Sequence, residues 1–323
     1  MKAVRMHVRA GPDALVYEDV PAPKISRGEV VIKVYAAGIT PTEFTWNSTF
    51  TTSNGANRLP IVPSFEVSGT VHEVASDVTD LSVGAAVYGL LNFWRDGAAA
   101  EYVAARAADM APKPSSLDHA LAAGVPLSGL TAWQALFDHA KLSAHDRILI
   151  HGAAGGVGTW AVQFAHWRGA HVIGTASQKN HEFLRELGAN DVLDYTSSHF
   201  EDEVRDVDVV LDTVGGDTLE RSWRILRKGG FLVTVAGDAP EGKAKGFGVS
   251  AASILVQPNR AQLIEIANLI DSGTVRPVVQ AVYPLARAKE SYERGLQGHN
   301  RGKLVLQVYA DEKAANASDH SSP

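Results

Sequence analysis

The chain has 323 residues, a length that predicts about two domains, and 45% of them are hydrophobic against 20% charged. Its formal net charge is −6, and an acidic surface does not attract nucleic acid or anionic membranes, so neither is expected as a partner. It contains no cysteine, which excludes disulfides, thiolate metal sites and cysteine nucleophiles.

The first part of the chain, from Met1 to about Pro114, consists of short β-like runs broken by glycine and proline. These runs are Met1–Val8, Glu29–Ala36, Val67–Val74 and Ala85–Leu91. The turn signals between the runs favour a compact, irregular β-barrel.

From about Leu117 the pattern changes to alternating helices and strands. A helical stretch at Leu117–Leu142 is followed by strand Arg147–His151, helix Val157–Arg168, strand His171–Ala176, helix Lys179–Leu187, strand Asp191–Asp194, strand Val207–Val214, helix Asp217–Leu226 and strand Gly230–Ala236. Such alternation indicates βαβ units and a doubly wound parallel sheet, so the fold class is α/β.

The last part of the chain is predicted to form helix Arg260–Ser272, strand Val278–Val282, helix Leu285–Gly295 and strand Lys303–Tyr309. Residues 311–323 are polar and are expected to be a disordered tail. No run approaches the roughly 18 apolar residues of a membrane span, and the opening residues lack the apolar core of a signal peptide. Together with the lack of cysteine, these features predict a cytoplasmic protein with no membrane partner.

The glycine-rich turn Gly152–Gly158 follows an apolar strand and leads directly into a helix. It matches the G-x-G-x-x-G dinucleotide fingerprint with Ala153 in place of the first glycine. Gly155 would allow the backbone to approach a pyrophosphate, and Gly158 would let the helix pack closely on the sheet. A tight turn that binds nothing is the alternative. The predicted coenzyme contacts in this turn are Ala154, Gly155, Gly156 and Val157.

The end of the next strand distinguishes NAD from NADP. NAD enzymes usually place an acidic residue there to bind the ribose 2′-hydroxyl, but this chain has no carboxylate before Glu182. Ser177 and Lys179 could instead bind a 2′-phosphate. Lys179 could also simply begin a solvated helix. The missing acid and the Ser-x-Lys pair together predict NADPH as the coenzyme.

These features together resemble the medium-chain dehydrogenase/reductases, and within them the quinone oxidoreductase branch related to zeta-crystallin. The resemblance covers residues 1 to about 310 and is most specific at Gly38–Pro41, Pro63–Gly69, Leu193–Tyr195 and Leu211–Gly216, with a closing strand at Arg301–Leu306. It implies a GroES-like β-barrel catalytic domain over residues 1–120 and 259–310. A Rossmann NADPH-binding domain over residues 121–258 would interrupt it.

Compared with the zinc alcohol dehydrogenases of the same superfamily, this chain lacks the metal ligands. Thr40 replaces the first cysteine, Phe65 replaces the histidine, and Val125–Leu127 stands near the third ligand. Phenylalanine and leucine offer zinc no lone pair, so no metal is expected. Glu66 is retained and is predicted to be a structural hydrogen-bonding residue.

Without a Lewis acid, simple alcohol–ketone chemistry is disfavoured. The predicted reaction is hydride transfer from NADPH to the activated C=C bond of an enone or to a quinone, with a small electron-poor molecule as partner. An acyl-thioester enoyl or haloacrylate-type reductase is one alternative, and a non-catalytic NADPH-binding protein is another. The resemblance also implies a homodimer formed through edge strands of the Rossmann sheet, for which Phe231–Val235 is the candidate.

The resemblance implies the remaining site residues. Thr40 is the expected catalytic residue, in a Thr-Pro-Thr-Glu segment where the branch usually has Asn-Pro-x-Asp. Further coenzyme contacts are expected from Thr131, Tyr195, Thr213, Val214, Ala236, Gly237, Gly302 and Lys303. Alternatively, Thr131 could be the N-cap residue of a helix. The aromatic residues Phe44, Trp46 and Phe93 could line a pocket for a flat substrate or serve as packing, and Phe50–Arg58 could form a flap.

Overall fold

The computed structural model describes residues 1–309, so the predicted tail 311–323 lies outside the described residues. The strands are β1 (Lys2–Met6), β2 (Leu15–Asp19), β3 (Glu29–Ile39), β4 (Glu66–Val74), β5 (Ala86–Leu90), β6 (Tyr102–Arg106), β7 (Met110–Pro112), β8 (Arg147–Ile150), β9 (His171–Ala176), β10 (Asp191–Asp194), β11 (Val207–Asp212), β12 (Leu226–Thr234), β13 (Ser250–Ser253), β14 (Val279–Pro284) and β15 (Lys303–Gln307). The α-helices are α1 (Asn47–Phe50), α2 (His119–Ala123), α3 (Pro126–Trp133), α4 (Gly156–Arg168), α5 (His181–Glu186), α6 (Phe200–Glu203), α7 (Gly216–Ser222), α8 (Glu241–Phe247), α9 (Arg260–Asp271) and α10 (Ala288–Leu296).

The chain forms two compact units. Within the described residues, the first contains Met1–Leu127, Pro258–Gly298 and residues 303–309, and the second contains Ser128–Gln257 and His299–Gly302. The second unit therefore consists of the continuous middle of the chain and a short segment just before β15, His299–Gly302, which we call the return segment.

The first unit is built on a mainly antiparallel sheet with the order β14-β15-β3-β4-β5-β7, and β6 also pairs with β3. Strand β3 is buried along almost its whole length, which explains its nearly continuous apolar sequence. In its register, Gly38 lies opposite Glu66 and Ile39 lies opposite Leu304. The residues that follow Ile39 and precede Leu304, Thr40 and Lys303, are thereby brought to the same end of the sheet.

The second unit contains a six-stranded sheet with the order β10-β9-β8-β11-β12-β13, in which every pair is parallel. The strand order reverses between β8 and β11, the place where open α/β sheets bind ligands beyond the carboxyl ends of their strands. The glycine-rich turn follows β8, and Ser177, Tyr195, Thr213 and Ala236 follow within two residues the ends of β9, β10, β11 and β12.

One predicted edge strand is internal. The segment Phe231–Val235 falls largely in β12, which pairs with β11 on one side and with β13 on the other, so its proposed role as the free edge is wrong. The edge strands are β10 and β13, and β13 is the one that pairs with β12. The Ser-Ala-Ala-Ser sequence of β13 lacks β-branched and aromatic residues, so sequence patterning gave no strand signal there.

The predicted long helix over Leu117–Leu142 is divided. Helix α2 ends at Ala123 and is capped by Gly124, and α3 begins with Pro126, a residue that suits the first turn of a helix but not its interior. A short π-helix over Gln134–His139 follows α3. Within residues 1–309, no helix combines the length and apolar character that crossing a bilayer requires.

Candidate functional site

The glycine-rich turn of the second unit leaves no room for a side chain at Gly152 or Gly158. Gly152 has a φ of +66°, and a Cβ on Gly158 would lie 2.6 Å from the Cα of Ala153, so the helix approaches the turn through a bare backbone. Helix α4 begins at Gly156, and its N-cap, Gly155, provides no side-chain cap. The first amides of α4 therefore lack partners within the helix and favour an anion, which fits the pyrophosphate of a dinucleotide.

The return segment of the second unit closes against this turn. The amide of Gly302 donates to the carbonyl of Ala154 over 2.9 Å, and Gly302 forms a parallel bridge with Gly155. Gly302, Ala154 and Gly155, all predicted coenzyme contacts, thus lie together.

The turn after β11 is held by Asp212, a residue that the sequence analysis did not assign to the site. Asp212 is fully buried and accepts hydrogen bonds from the amides of Val214 (3.1 Å) and Gly215 (3.0 Å). It also accepts one from the Thr234 hydroxyl over 2.7 Å. The Thr213 hydroxyl donates to the carbonyl of His151 over 2.8 Å. These contacts fix the predicted Thr213–Val214 pair beside the glycine-rich turn.

His151, immediately before that turn, is buried and bonded on both ring nitrogens. Nδ1 lies 3.2 Å from the Thr175 hydroxyl, and Nε2 lies 3.0 Å from the Ser222 hydroxyl. Burial lowers the pKa of His151 to about 4. The ring is therefore neutral near pH 7, and it links the Thr175 and Ser222 hydroxyls without carrying a charge.

A polar, basic corner forms where β9 ends. Ser177 is half-buried and Lys179 is exposed, as binding of an external phosphate would require. Arg301 joins them: its Nη2 donates to the carbonyl of Lys179 over 2.6 Å, and its Nε donates to the side chain of Asn180 over 2.7 Å. No local sequence pattern links Arg301 to this corner, because it lies 122 residues from Lys179 along the chain.

In the first unit, Thr40 lies next to a buried ion pair. The Lys303 ammonium is 6% exposed and forms a salt bridge with Glu66. It also donates to the carbonyl of Ile39 over 2.7 Å and to the hydroxyl of Thr40 over 2.9 Å. Glu66 accepts a further bond from the amide of Leu127 over 3.0 Å. Glu66 thus accepts a backbone hydrogen bond and is the counter-ion of Lys303.

A second buried carboxyl lies one turn beyond Thr40. Glu43 is fully buried, accepts from the Ser64 amide over 3.0 Å, and is hydrogen-bonded by the Tyr292 hydroxyl. Burial raises the pKa of Glu43 to about 7, although these two bonds oppose the shift. Ser64 has a φ of +74° and donates from its hydroxyl to the Gly38 carbonyl over 2.6 Å, which holds the strained backbone that leads into Phe65.

Two aromatic rings, those of Trp46 and Phe93, pack against Phe65, the residue that stands in the position of a zinc-ligating histidine. The ring centroid of Phe65 lies 5.1 Å from that of Phe93 and 6.4 Å from that of Trp46. Phe44 packs elsewhere, 4.6 Å from the ring of Tyr292 and against the core cluster of Met6, Phe50 and Ile61. The structure therefore brings Trp46 and Phe93 together and separates Phe44 from them.

The predicted flap is a short hairpin. Thr51 and Asn57 form an antiparallel bridge, and the amide of Arg58 donates to the carbonyl of Phe50 over 2.9 Å. The Arg58 guanidinium donates to the carbonyls of Ser48 (3.0 Å) and Phe93 (3.3 Å). The base of the hairpin is thus anchored beside Phe93, while its tip is exposed.

Thr131 lies inside α3 and is buried, so its alternative reading as a helix-starting cap is wrong. Tyr195 and Val214 are about half exposed at the carboxyl edge of the parallel sheet, and Ala236 and Gly237 are exposed beyond β12. Their contacts with a coenzyme remain predictions.

No group of three histidine, aspartate or glutamate side chains suited to a metal ion occurs within the described part of the chain, residues 1–309. At the expected metal position, Phe65 is buried among aromatic rings and Thr40 is bonded to an ammonium group. This donor set does not fit a zinc ion.

Two family models match the chain. Residues 26–115 match the alcohol dehydrogenase GroES-like domain, and residues 187–306 match the zinc-binding dehydrogenase model. The predicted fold class, a GroES-like domain with a Rossmann-type parallel sheet, is confirmed by the first match and by the solved structure described next.

Similar proteins extend over nearly the whole chain. A mitochondrial NAD(P)H oxidoreductase of Danio rerio is 32% identical, covering 88% of this chain and 85% of the relative. A chloroplastic NADPH-dependent alkenal/one oxidoreductase of Arabidopsis thaliana is 33% identical, covering 95% and 79% respectively. The solved quinone oxidoreductase of Coxiella burnetii superposes with a TM-score of 0.89 at 34% identity, covering 95% of this chain and 99% of that one.

The predicted cytoplasmic location is wrong, because relatives that match most of the chain are named as mitochondrial. A cysteine-free composition suits more than one compartment and therefore does not identify the location. Targeting is read by receptors from address segments rather than specified by the fold.

Proposed function

Since this chain belongs to the medium-chain dehydrogenase/reductase family, in its quinone oxidoreductase branch, and is an NAD(P)H-dependent oxidoreductase, we propose that it uses NADPH, without a metal, to reduce an enone or a quinone. The observation that carries the proposal is that Thr40 is hydrogen-bonded to Lys303 and that Phe65 packs against Trp46 and Phe93. A hydroxyl and aromatic rings stand where the zinc enzymes place metal ligands.

NADPH is favoured over NADH by the corner at the end of β9. Ser177, Lys179 and Arg301 lie there, and a 2′-phosphate accepts charge-assisted hydrogen bonds from such groups. Asp194, the last residue of the neighbouring strand β10, already accepts from the amide and hydroxyl of Thr196 over 2.9 and 2.7 Å. The Arabidopsis relative is also named as NADPH-dependent.

When bound, NADPH supplies a hydride from its nicotinamide ring. In the second unit, the glycine-rich turn and the start of α4 would bind the pyrophosphate. In the first unit, Trp46 and Phe93 would hold a flat conjugated substrate, and the Thr40 hydroxyl would donate to its carbonyl oxygen. Hydride addition at the β carbon moves the π electrons onto that oxygen, and a proton from water completes the product at the α carbon.

This arrangement suits delocalised anions better than alkoxides. A single hydroxyl donor supplies far less stabilisation than a metal ion. The charge of an enolate or hydroquinone anion is already spread by conjugation, whereas the alkoxide from a saturated ketone is localised. We therefore propose conjugated carbonyls and quinones as substrates, rather than simple ketones.

The proposal also includes a homodimer formed through the free edge of β13. Short edge strands offer unpaired backbone groups that a second copy can satisfy by symmetry. Leu255, two residues beyond β13, is 60% exposed and would be covered in such a pair. Sedimentation of the parent protein and of a Leu255→Asp variant tests it, with a shift to monomer expected for the variant.

The reaction is tested with a panel of quinones, enones, saturated ketones and primary alcohols, with oxidation of NADPH followed by absorbance. Quinones and enones should react, and ketones and alcohols should not. With C4-deuterated NADPH, the label should appear at the β carbon of an enone product, and solvent deuterium at the α carbon. Label at the carbonyl carbon, or efficient oxidation of alcohols, would show ordinary dehydrogenase chemistry instead.

A further inference from the structure

The Lys303 ammonium is bound by three groups of the first unit. An ammonium group has three N–H donors and no acceptor. Lys303 donates to the Ile39 carbonyl and the Thr40 hydroxyl, and its charge is paired with the Glu66 carboxylate. These three contacts direct the Lys303 side chain towards Thr40 and Glu66.

The same geometry fixes the direction of the Thr40 hydroxyl proton. Since lysine only donates, the Thr40 oxygen must be the acceptor in their 2.9 Å hydrogen bond. The hydroxyl hydrogen must then point to another acceptor. Within residues 1–309 the Thr40 hydroxyl makes no other hydrogen bond, and Thr40 is only partly buried. Its proton is therefore available to a ligand.

We propose that Lys303 is the positioning residue of an oxyanion site, in which it holds the Thr40 hydroxyl as a fixed and strengthened donor to the substrate's carbonyl oxygen. The proposal rests on the proposed function. Glu66 and Ile39 anchor the ammonium, the ammonium orients Thr40, and Thr40 contacts the substrate.

The physical basis is cooperative polarisation. A hydroxyl that accepts a charge-assisted hydrogen bond becomes a better donor, and the effect is larger in a site shielded from water. The Lys303–Glu66 pair has almost no solvent exposure. As hydride adds to the substrate, negative charge develops on the carbonyl oxygen, and the preorganised Thr40 donor stabilises that charge. The proton that completes the product still comes from water, so Thr40 and Lys303 end the reaction unchanged.

A kinetic double-mutant cycle tests whether Thr40 and Lys303 contribute to catalysis through the same interaction. We expect Thr40→Val and Lys303→Met each to lower kcat about 10-fold, equivalent to about 1.4 kcal/mol. The double variant should be no slower than the slower single variant, because both changes remove the same oriented hydroxyl. Thr40→Ser keeps the hydroxyl and should retain most of the activity. Losses that multiply to about 100-fold would show independent action and overturn the proposal.

Two controls address folding. Lys303→Met leaves the Glu66 carboxylate buried without its cation, so the cycle is repeated with Glu66→Gln alongside Lys303→Met to remove that charge. Lys113→Met removes another part-buried lysine of the first unit, one that donates to the carbonyls of Pro114 and Leu117, and should leave kcat unchanged.

Binding measurements separate this role from a coenzyme role. In the full chain, the dissociation constant for NADPH, followed by fluorescence, should change less than about 2-fold in Lys303→Met. A 10-fold weaker affinity with unchanged kcat would place Lys303 in the coenzyme site and overturn the proposal.

An anion that resembles the enolate provides a readout independent of turnover. Titration of p-nitrophenol into the coenzyme-free protein, followed by phenolate absorbance, should show binding that weakens about 10-fold in both Thr40→Val and Lys303→Met. Phenolate binding that is absent, or indifferent to both changes, would overturn the oxyanion site. A parent protein that reduces no enone or quinone would overturn the proposed function, while phenolate binding that requires both residues would still support the pair.

Discussion

The hydroxyl of Thr234 donates to the buried carboxylate of Asp212 across 2.7 Å and joins the carboxyl ends of two adjacent parallel strands, β11 and β12. The Ala236 amide in turn donates to the Thr234 hydroxyl over 3.1 Å. Asp212 thereby connects the Thr213–Val214 turn to Ala236, so that one carboxylate orders two of the segments expected to contact the coenzyme.

Loss of this carboxylate should destabilise the second unit. Asp212→Ala leaves the amides of Val214 and Gly215 and the Thr234 hydroxyl without their acceptor, which should cost about 3 kcal/mol. Urea unfolding measures the loss. Asp217→Ala is the matched control, because its side chain is 83% exposed and pairs only at the surface with Arg221. Equal effects of the two changes would contradict the role assigned to Asp212.

The coenzyme preference should depend on Lys179. Lys179→Ala removes a charge expected to face only the 2′-phosphate, so NADPH affinity should fall about 10- to 100-fold while NADH affinity changes little. Fluorescence titration with both coenzymes measures this difference. Lys228→Ala removes an exposed lysine near the amino end of β12, far along the strand from its carboxyl end, and should affect neither. Equal losses for NADPH and NADH would place Lys179 away from the phosphate.

Activity should not depend on a metal. Thr40 is bonded to Lys303, and Phe65 is packed against Phe93, so neither offers a zinc ion a ligand. Prolonged dialysis against EDTA should leave kcat unchanged, and added zinc should not raise it. Loss of activity on chelation with recovery on zinc addition would show that the enzyme does depend on a zinc ion.

Elements with strong local signals could be predicted from the sequence. Strands His171–Ala176 and Asp191–Asp194 occur with the predicted bounds, and α4 differs by one residue, because apolar runs and a glycine-rich turn mark them. Strand β13 could not be predicted, because its small residues pack at a sheet edge where pairing, rather than propensity, determines the conformation.

The contacts of the site were less predictable than its motifs. Thr40 and Glu66 were both identified from their segments, but their connection runs through Lys303, which lies 263 residues from Thr40 in the chain. Arg301 reaches Lys179 over 122 residues in the same way. Such pairs follow from sheet register and return segments, and a single sequence carries no local pattern for them. Asp212 did have a signal, since it stands inside the Leu211–Gly216 motif.

Two glycines of the second unit should respond oppositely to the same substitution. A Cβ on Gly158 would lie 2.6 and 2.7 Å from backbone atoms of Ala153, so Gly158→Ala should distort the turn and weaken both stability and NADPH binding. A Cβ on Gly246, inside α8, meets nothing within 4 Å, so Gly246→Ala should stabilise by about 0.5–1 kcal/mol. Urea unfolding compares them, and a harmless Gly158→Ala would contradict the close packing of α4.

The buried carboxyl of Glu43 should make stability depend on pH. Burial raises its pKa to about 7, whereas the unfolded chain has an ordinary value of about 4.3. Between these values the folded state holds a proton that the unfolded state has lost. The contribution of Glu43 is therefore fully present below about pH 4.3 and is lost as the pH rises to about 7, by roughly 3 kcal/mol.

Glu43→Gln tests this dependence, because a neutral amide can replace the protonated carboxyl between Ser64 and Tyr292. Urea unfolding of the parent and the variant at pH 5 and pH 8 gives the difference in the free energy of unfolding at each pH. His151 changes the free energy of unfolding with pH in the opposite direction. Because its pKa is lowered, stability falls as the pH drops from about 6.5 to about 4. That contribution is common to both proteins and cancels when they are compared at one pH. The variant should gain stability relative to the parent on going from pH 5 to pH 8, and a difference that does not change with pH would mean that Glu43 is already ionised in the folded protein.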